Sequence, residues 1–362
     1  MPTWTPTWIR PRRAAVAAAL LLPLAAGSPA AAADEPAVFT LDDPRIVESS
    51  GLQASDRHPG VYWTHNDSAD AAAIYAVDSA TGQTVATITL DGITARDIEG
   101  ISLGPDGDLW IGDIGDNFDG GWSEVWLYRI PEPERLADAS VTPTVYTVQY
   151  DDGPRDAEAL MVHPVTGRVY IASKKQDGTG ALYAGPEEMS DSGTNVFARV
   201  ADTDVWVTDG AFSPDGTRLL LRGYFSARMY AWRDGAPVEL DRSVIPPSQM
   251  QGESVTFTRD GRYLMFGSEG PGSEVEPVDL HGELLPENAA EDAEDEPEEG
   301  ADEPSPSTAP EGEPDGEPGT DDGSGDSGGS GDDGISLSLP VAGVLVVAAV
   351  AVFGFRRLRA GS

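Results

Sequence analysis

Cysteine is absent from the 362-residue chain, so no disulfide framework supports it and whatever folds must rely on its apolar core. Lysine is nearly absent as well: Lys174 and Lys175 are the only two. Basic residues number 23 against 62 carboxylates, a formal net charge of −39. That balance excludes nucleic acid and bare anionic lipid as partners. Segments with sustained helical periodicity are few; Arg135 to Ala139 could make one turn. Histidine occurs four times, as His58, His65, His163 and His281.

Long apolar runs are also rare, and the two that exist lie at the ends. Arg10, Arg12 and Arg13 precede an Ala/Leu run to Ala26, and Ala31-Ala32-Ala33 offers a small-residue cleavage site. Residues 1–33 are therefore expected to be a secretory signal peptide, with the Sec and Tat routes both open. Ile335 to Phe355 is 21 residues without a charge, followed by Arg356-Arg357-Leu358-Arg359. This predicts a transmembrane helix over 335–355 and a cytoplasmic basic tail over 356–362. Residues 281–334 hold 20 carboxylates and no Lys or Arg, with Pro, Gly and Ser between them. Such a segment is expected to be a disordered acidic stalk. What remains, 34–280, has 42 carboxylates against 17 Lys and Arg, a balance of −25, and would stand outside the cell as a monomer on a single-pass anchor.

Within 34–280 one unit recurs five times. A carboxylate or hydroxyl, a small residue and an apolar run lead into a Pro/Gly/Asp turn and a second apolar run. The pairs begin at Ser50-Gly51-Leu52, Glu99-Gly100-Ile101, Glu158-Ala159-Leu160, Asp209-Gly210-Ala211 and Glu253-Ser254-Val255. The period is roughly 50 residues, as in propeller blades. Third and fourth β-rich runs follow the first four pairs, for example Ala73 to Val77 and Thr84 to Ile88, and a third run follows the fifth. The fifth repeat lacks its outer strand, and Ala37 to Leu41 is left over to supply it, which would remove two open edges. The expected fold is all-β: a single five-bladed β-propeller closed by an N-terminal strand.

In such a blade the start of the innermost strand lines the channel. Ser50, Glu99, Glu158, Asp209 and Glu253 should then ring its mouth, with the second-to-third-strand loops above them. Those loops contribute His65, Asn66, Asp67, Asp113, Asp116, Asn117, Lys174, Lys175, Arg222, Tyr224 and Glu269 as candidate ligand-binding residues. Carboxylates this close cannot all stay ionised and unpaired. Hard oxygen donors without His or Cys favour Ca²⁺ as the ion that would relieve them, and a hydrogen-bonding belt is the alternative.

Asp97-Ile98-Glu99-Gly100 followed by Asp113-Ile114-Gly115-Asp116-Asn117 resembles secreted WD40-like or esterase-like-phytase-type propeller proteins of high-GC Gram-positive (actinobacterial) bacteria. The resemblance spans about residues 45–280 and implies the fold rather than an activity. The ring Ser, Glu, Glu, Asp, Glu is similar to the channel ligands of calcium-activated apyrases, which are Ser and Glu, and Asp209 departs from that pattern. Gly100-Ile101-Ser102-Leu103-Gly104 matches a nucleophile-elbow pattern but sits before a hairpin, not a strand-to-helix turn. Gly325-Asp326-Ser327-Gly328-Gly329 resembles a serine-protease signature but falls in the stalk. Two functions follow as expectations. One is a membrane-anchored binding or recognition module for a cell-surface or extracellular ligand. The other is a metal-assisted phosphoester hydrolase with Lys174, Lys175 or Arg222 holding the anion.

Overall fold

The computed structural model describes residues 1–3, 35–67, 72–118, 120–175 and 179–295. The expected signal peptide beyond residue 3, the expected stalk from 296 onward, and the expected membrane helix and basic tail lie outside the described residues. Among the described residues, no helix is long and apolar enough to cross a membrane.

The chain begins with β1 (Phe39–Thr40) and then builds antiparallel meanders. The first comprises β2 (Ser49–Ala54), β3 (Val61–Asn66), β4 (Ala73–Asp78) and β5 (Thr84–Leu90). In the second, β6 (Ile98–Leu103), β7 (Asp108–Asp113) and β8 (Val125–Pro131) lead through the short β9 (Ala139–Val141) to β10 (Thr144–Tyr150). The third runs β11 (Ala157–Val162), β12 (Val169–Ser173), β13 (Gly180–Ala184) and β14 (Thr194–Thr203). The fourth runs β15 (Val207–Phe212), β16 (Arg218–Gly223), β17 (Ala227–Arg233) and β18 (Ala236–Glu239). The last has β19 (Gly252–Phe257), β20 (Tyr263–Ser268) and β21 (Glu274–Asp279), and β1 pairs antiparallel to β21 with Phe39 opposite Val275. Leu41 N–H bonds Ser273 O at 2.9 Å, and the Phe39 ring packs on Tyr62 of the first meander at 5.2 Å. The N-terminal segment thus joins the last sheet to the first.

The first strands of the meanders, β2, β6, β11, β15 and β19, neighbour one another in a circuit that returns to β2. They run in the same direction, since starts meet starts and ends meet ends. Ser50 bonds Glu99 across β2 and β6, Val255 N–H bonds Asp209 across β19 and β15, and Ala54 N–H bonds Thr256 across β2 and β19. This nearly all-β, nearly closed arrangement is propeller-like. Burial explains the strand sequences. β11 and β19 are buried along their whole length, whereas the outer β5 and β10 alternate between buried and exposed positions, the period-two pattern of a half-covered strand. Apolar clusters fill the gaps between consecutive meanders, as where Trp63 and Ile74 meet Ile101 and Leu109. The glycine after Glu99 is needed because inner strands crowd the axis. A Cβ on Gly100 would lie 2.7 Å from the Leu160 amide nitrogen.

Three features differ from expectation. Ala139, placed in a helical turn by sequence, opens β9, which extends the first sheet by pairing parallel to β5. β10 and β14 pair parallel and fuse the second and third meanders into one eight-stranded sheet. Residues 281–295, expected as the start of the stalk, form a 3₁₀ turn (Gly282–Leu284) and the helix α1 (Glu287–Asp295). They are ordered by contacts with the fourth meander. Glu287 and Asn288 donate their orphan helix-start N–H groups to Thr217 Oγ1 and Asp215 Oδ2 at 3.1 Å, and Ala289 is buried.

Candidate functional site

Every inner strand carries a bulge at the same place. The register against the second strand skips one residue between Ser49 and Gly51, Ile98 and Gly100, Ala157 and Ala159, Val207 and Asp209, and Gly252 and Ser254. A bulge leaves one residue without a cross-strand partner and re-aims its side chain. The residues so released are Ser50, Glu99, Glu158, Thr208 and Glu253. All are buried, with relative exposures from 0% at Thr208 to 6% at Glu253.

This corrects one member of the expected ring. Asp209 is the residue after the bulge, opposite Arg222, and occupies the register position of Gly51, Gly100, Ala159 and Ser254. Its carboxylate accepts the N–H groups of Gly210 at 2.7 Å and Val255 at 2.8 Å. Asp209 therefore ties the fourth meander to the fifth, and Thr208, which donates to Gly252 O at 3.1 Å, takes the fifth ring place.

The three ring glutamates are linked electrostatically. Ser50 Oγ donates to Glu99 Oε2 at 2.8 Å, and Lys174 Nζ donates to Glu158 Oε1 at 2.8 Å. Burial and then the Glu158, Asp97 and Asp67 carboxylates push Glu99 well above the usual carboxylate range. Burial pushes Glu158 the same way, opposed by Lys174 and reinforced by Asp156 and Glu253. Glu253 is raised by burial to about 7, and its buried Oε2 has no hydrogen-bond partner among the described residues. Burial works against the charge on Lys174, but Glu158, Tyr224, Glu99 and Glu253 outweigh it and raise its pKa. The mouth thus sets three glutamates about one ammonium, with Ser50 bonded to the first of them and Thr208 turned to a backbone carbonyl, and Tyr224 covers that ammonium with its ring at 5.5 Å.

The other expected residues divide into rim and scaffold. Asp67 and Glu269 stand on the rim, where with Glu48 they bring one carboxylate oxygen each within 4.8 Å of one another. Lys175 is half-buried beside Lys174. Asn66 is scaffold: its amide accepts from Val47 and Glu48 N–H and donates to Arg45 O. Asp113 accepts the N–H groups of Arg96 and Asp97 and the Tyr128 hydroxyl. Asp116 shapes its own loop through Phe118 and Trp122 N–H, and Asn117 donates to Asp97 Oδ2 at 2.7 Å. His65 is fully buried against Gly51, and burial holds its pKa down to about 4, so its ring is neutral. Arg222, expected to hold an anion, is fully buried and turned inward. Its guanidinium donates to Ser254 O, to Gly267 O at 2.7 Å and to Gln249 Oε1 at 2.7 Å.

Thr208, Glu48 and Asp156 are not among the residues expected from the sequence, and Asp97 enters there only as part of a motif. Thr208 alone had a readable signal, since Thr208-Asp209 repeats the hydroxyl-then-next pattern of Ser50-Gly51 once the anchor is moved back by one residue.

No family model matches the sequence, and no curated protein does. A solved structure described as "Crystal Structure of Mitotic Checkpoint Complex" is similar over 65% of this chain, at 16% identity and a TM-score of 0.37; the chain spans about 62% of the length of that one.

Proposed function

We propose that the chain is a five-bladed β-propeller, held at the outer face of a membrane by its stalk and C-terminal helix, that acts as a binding module with a Ca²⁺ ion at the channel mouth. The observation that carries this reading is the burial of Glu99, Glu158 and Glu253 as one electrostatically linked group, with Ser50 bonded to Glu99 and a single ammonium, Lys174, bonded to Glu158. Uncompensated buried carboxylates are costly, and an all-oxygen donor set with flexible geometry suits Ca²⁺. With Thr208 in the ring the set is two hydroxyls and three glutamates, which still departs from the Ser and Glu ligands of calcium-activated apyrases at one position, now by a threonine hydroxyl in place of a carboxylate. In the ion's absence Lys174 supplies the counter-charge to Glu158.

Thermal unfolding with chelator, Mg²⁺ and Ca²⁺ tests the reading. Ca²⁺ should stabilise the protein by RT ln(1 + [L]/Kd), about 2.7 kcal/mol at a hundredfold excess over Kd, and Mg²⁺ should do little because it demands tight octahedral geometry. Glu158→Gln should lose most of that gain. Lys174→Gln removes the competing ammonium and should bind Ca²⁺ more tightly. A melting temperature that is the same in all three conditions would leave the mouth a hydrogen-bonding belt.

A further inference from the structure

We infer that the face into which the channel opens is a docking surface for a partner polypeptide segment in which Lys or Arg alternates with apolar residues. This rests on the binding-module reading but not on the metal. Because the inner strands start at that face, the loops after each second strand emerge there, as do the links from each fourth strand to the next inner strand. Among the described residues, and leaving aside Met1, the apolar side chains more than 70% exposed are Phe118, Phe225, Ile245 and Met250, at 75%, 77%, 83% and 88%. Phe118 follows β7, Phe225 follows β16, and Ile245 and Met250 lie between β18 and β19. All four therefore share the face of the mouth. The next most exposed, Val165 at 68%, sits on the β11–β12 hairpin at the opposite face, so the interaction site is marked by Phe225, Ile245 and Met250, which come from the adjoining β16–β17 loop and β18–β19 link.

The patch has an anchor. Phe225, Val205, Val244 and Ile245 form the apolar part of a cavity of about 350 Å³ whose polar side holds Asp204 and Arg228, paired with each other at 2.8 Å. It is linked to the acidic mouth through aromatic contacts. Phe225 lies 6.4 Å from Tyr224, ring to ring, and Tyr224 lies 5.5 Å from the Lys174 ammonium, which bonds Glu158. Trp206 stacks edge-on against Tyr224 at 4.9 Å.

Charge selects the occupant. The 34–280 domain carries a balance of −25, and Glu48, Asp67 and Glu269 cluster on the rim above the buried mouth glutamates. An anionic lipid surface is repelled by this face. An uncharged sugar could stack on the aromatics but would gain nothing from the carboxylates. A segment with a basic side chain next to an apolar one uses both, with the apolar residue seated in the cavity and the cation over the rim.

The experiment measures anisotropy of fluorescein-labelled peptides with the full-length chain. A hexapeptide of alternating Lys and Leu should bind, more tightly at about 50 mM than at about 300 mM salt; its Glu/Leu counterpart should not; and hexalysine should bind at least about tenfold more weakly. The double variant Phe225→Ser/Ile245→Ser should lose at least about tenfold in affinity with an unchanged melting temperature, and Met250→Ser, on the same link, serves if the double variant does not fold. Hexalysine binding as tightly as the Lys/Leu peptide, unaltered binding by the variants, or no Lys/Leu binding at all would each overturn the inference. A Ca²⁺ melt on the same sample separates the two levels. Stabilisation by Ca²⁺ without peptide binding removes the docking surface alone, and failure of both removes the binding module.

Discussion

Arg222→Met should destabilise the domain by about 4 kcal/mol, more than any single change at the channel mouth. The guanidinium is fully buried, and its bonds to Ser254 O, Gly267 O and Gln249 Oε1 join β16 to β19, β20 and the link before β19. Methionine fills much of the volume but leaves two backbone carbonyls and an amide oxygen dry. The same Gln249 amide donates to Phe266 O at 3.1 Å, so its whole network loosens with the arginine. Arg222→Lys should recover only part of the loss, because one ammonium on a shorter reach cannot satisfy three acceptors set by a planar fork. Denaturant unfolding of the three proteins measures this directly. A loss below about 1 kcal/mol for the methionine variant would show that the inward network is not structural, and Arg222 would return as a candidate anion holder.

The repeat, the strand pairs and the N-terminal strand were legible in the sequence because each rests on local signals. Inner strands are apolar runs, hairpins carry Gly at positive φ, as at Gly107 and Gly216, and outer strands alternate. The site was half legible. Ser50, Glu99, Glu158 and Glu253 stand where the spacing put them, because the small residue after each marks the crowded axis. Asp209 does not, since a bulge is a two-against-one mismatch with a partner strand, and its one trace in the sequence is the hydroxyl of Thr208 standing one residue before the carboxylate. Asn66, Asp113 and Arg222 look like free loop chemistry in the sequence, but their partners at Arg45, Arg96 and Ser254 come from other segments, and only folding brings those together. Residues 281–295 have stalk-like composition. What orders them is Asp215 and Thr217, more than 60 positions earlier in the chain.

Acid should expose the buried histidine. His65 is neutral in the folded chain with its pKa held down to about 4 by burial, against 6.5 for an ordinary imidazole. Between those values the unfolded chain binds a proton that the folded chain refuses, so stability is fully present above about 6.5 and is lost as pH falls toward 4. The shift corresponds to about 3 kcal/mol. The mouth works in the opposite sense across nearly the same window. Glu253, raised to about 7 by burial, contributes stability below its unfolded value, and that contribution disappears as pH rises through 7. Raw stability curves therefore mix two slopes, and the difference between wild type and His65→Gln, recorded in chelator, separates them. Gln is close in size and does not titrate. Above pH 7 the substitution should show only its packing cost, and toward pH 4 the variant should gain about 3 kcal/mol relative to wild type. A difference that stays flat from pH 7 to pH 4 would mean that the ring takes up a proton in place, and His65 would then belong to the channel's chemistry and not to its frame.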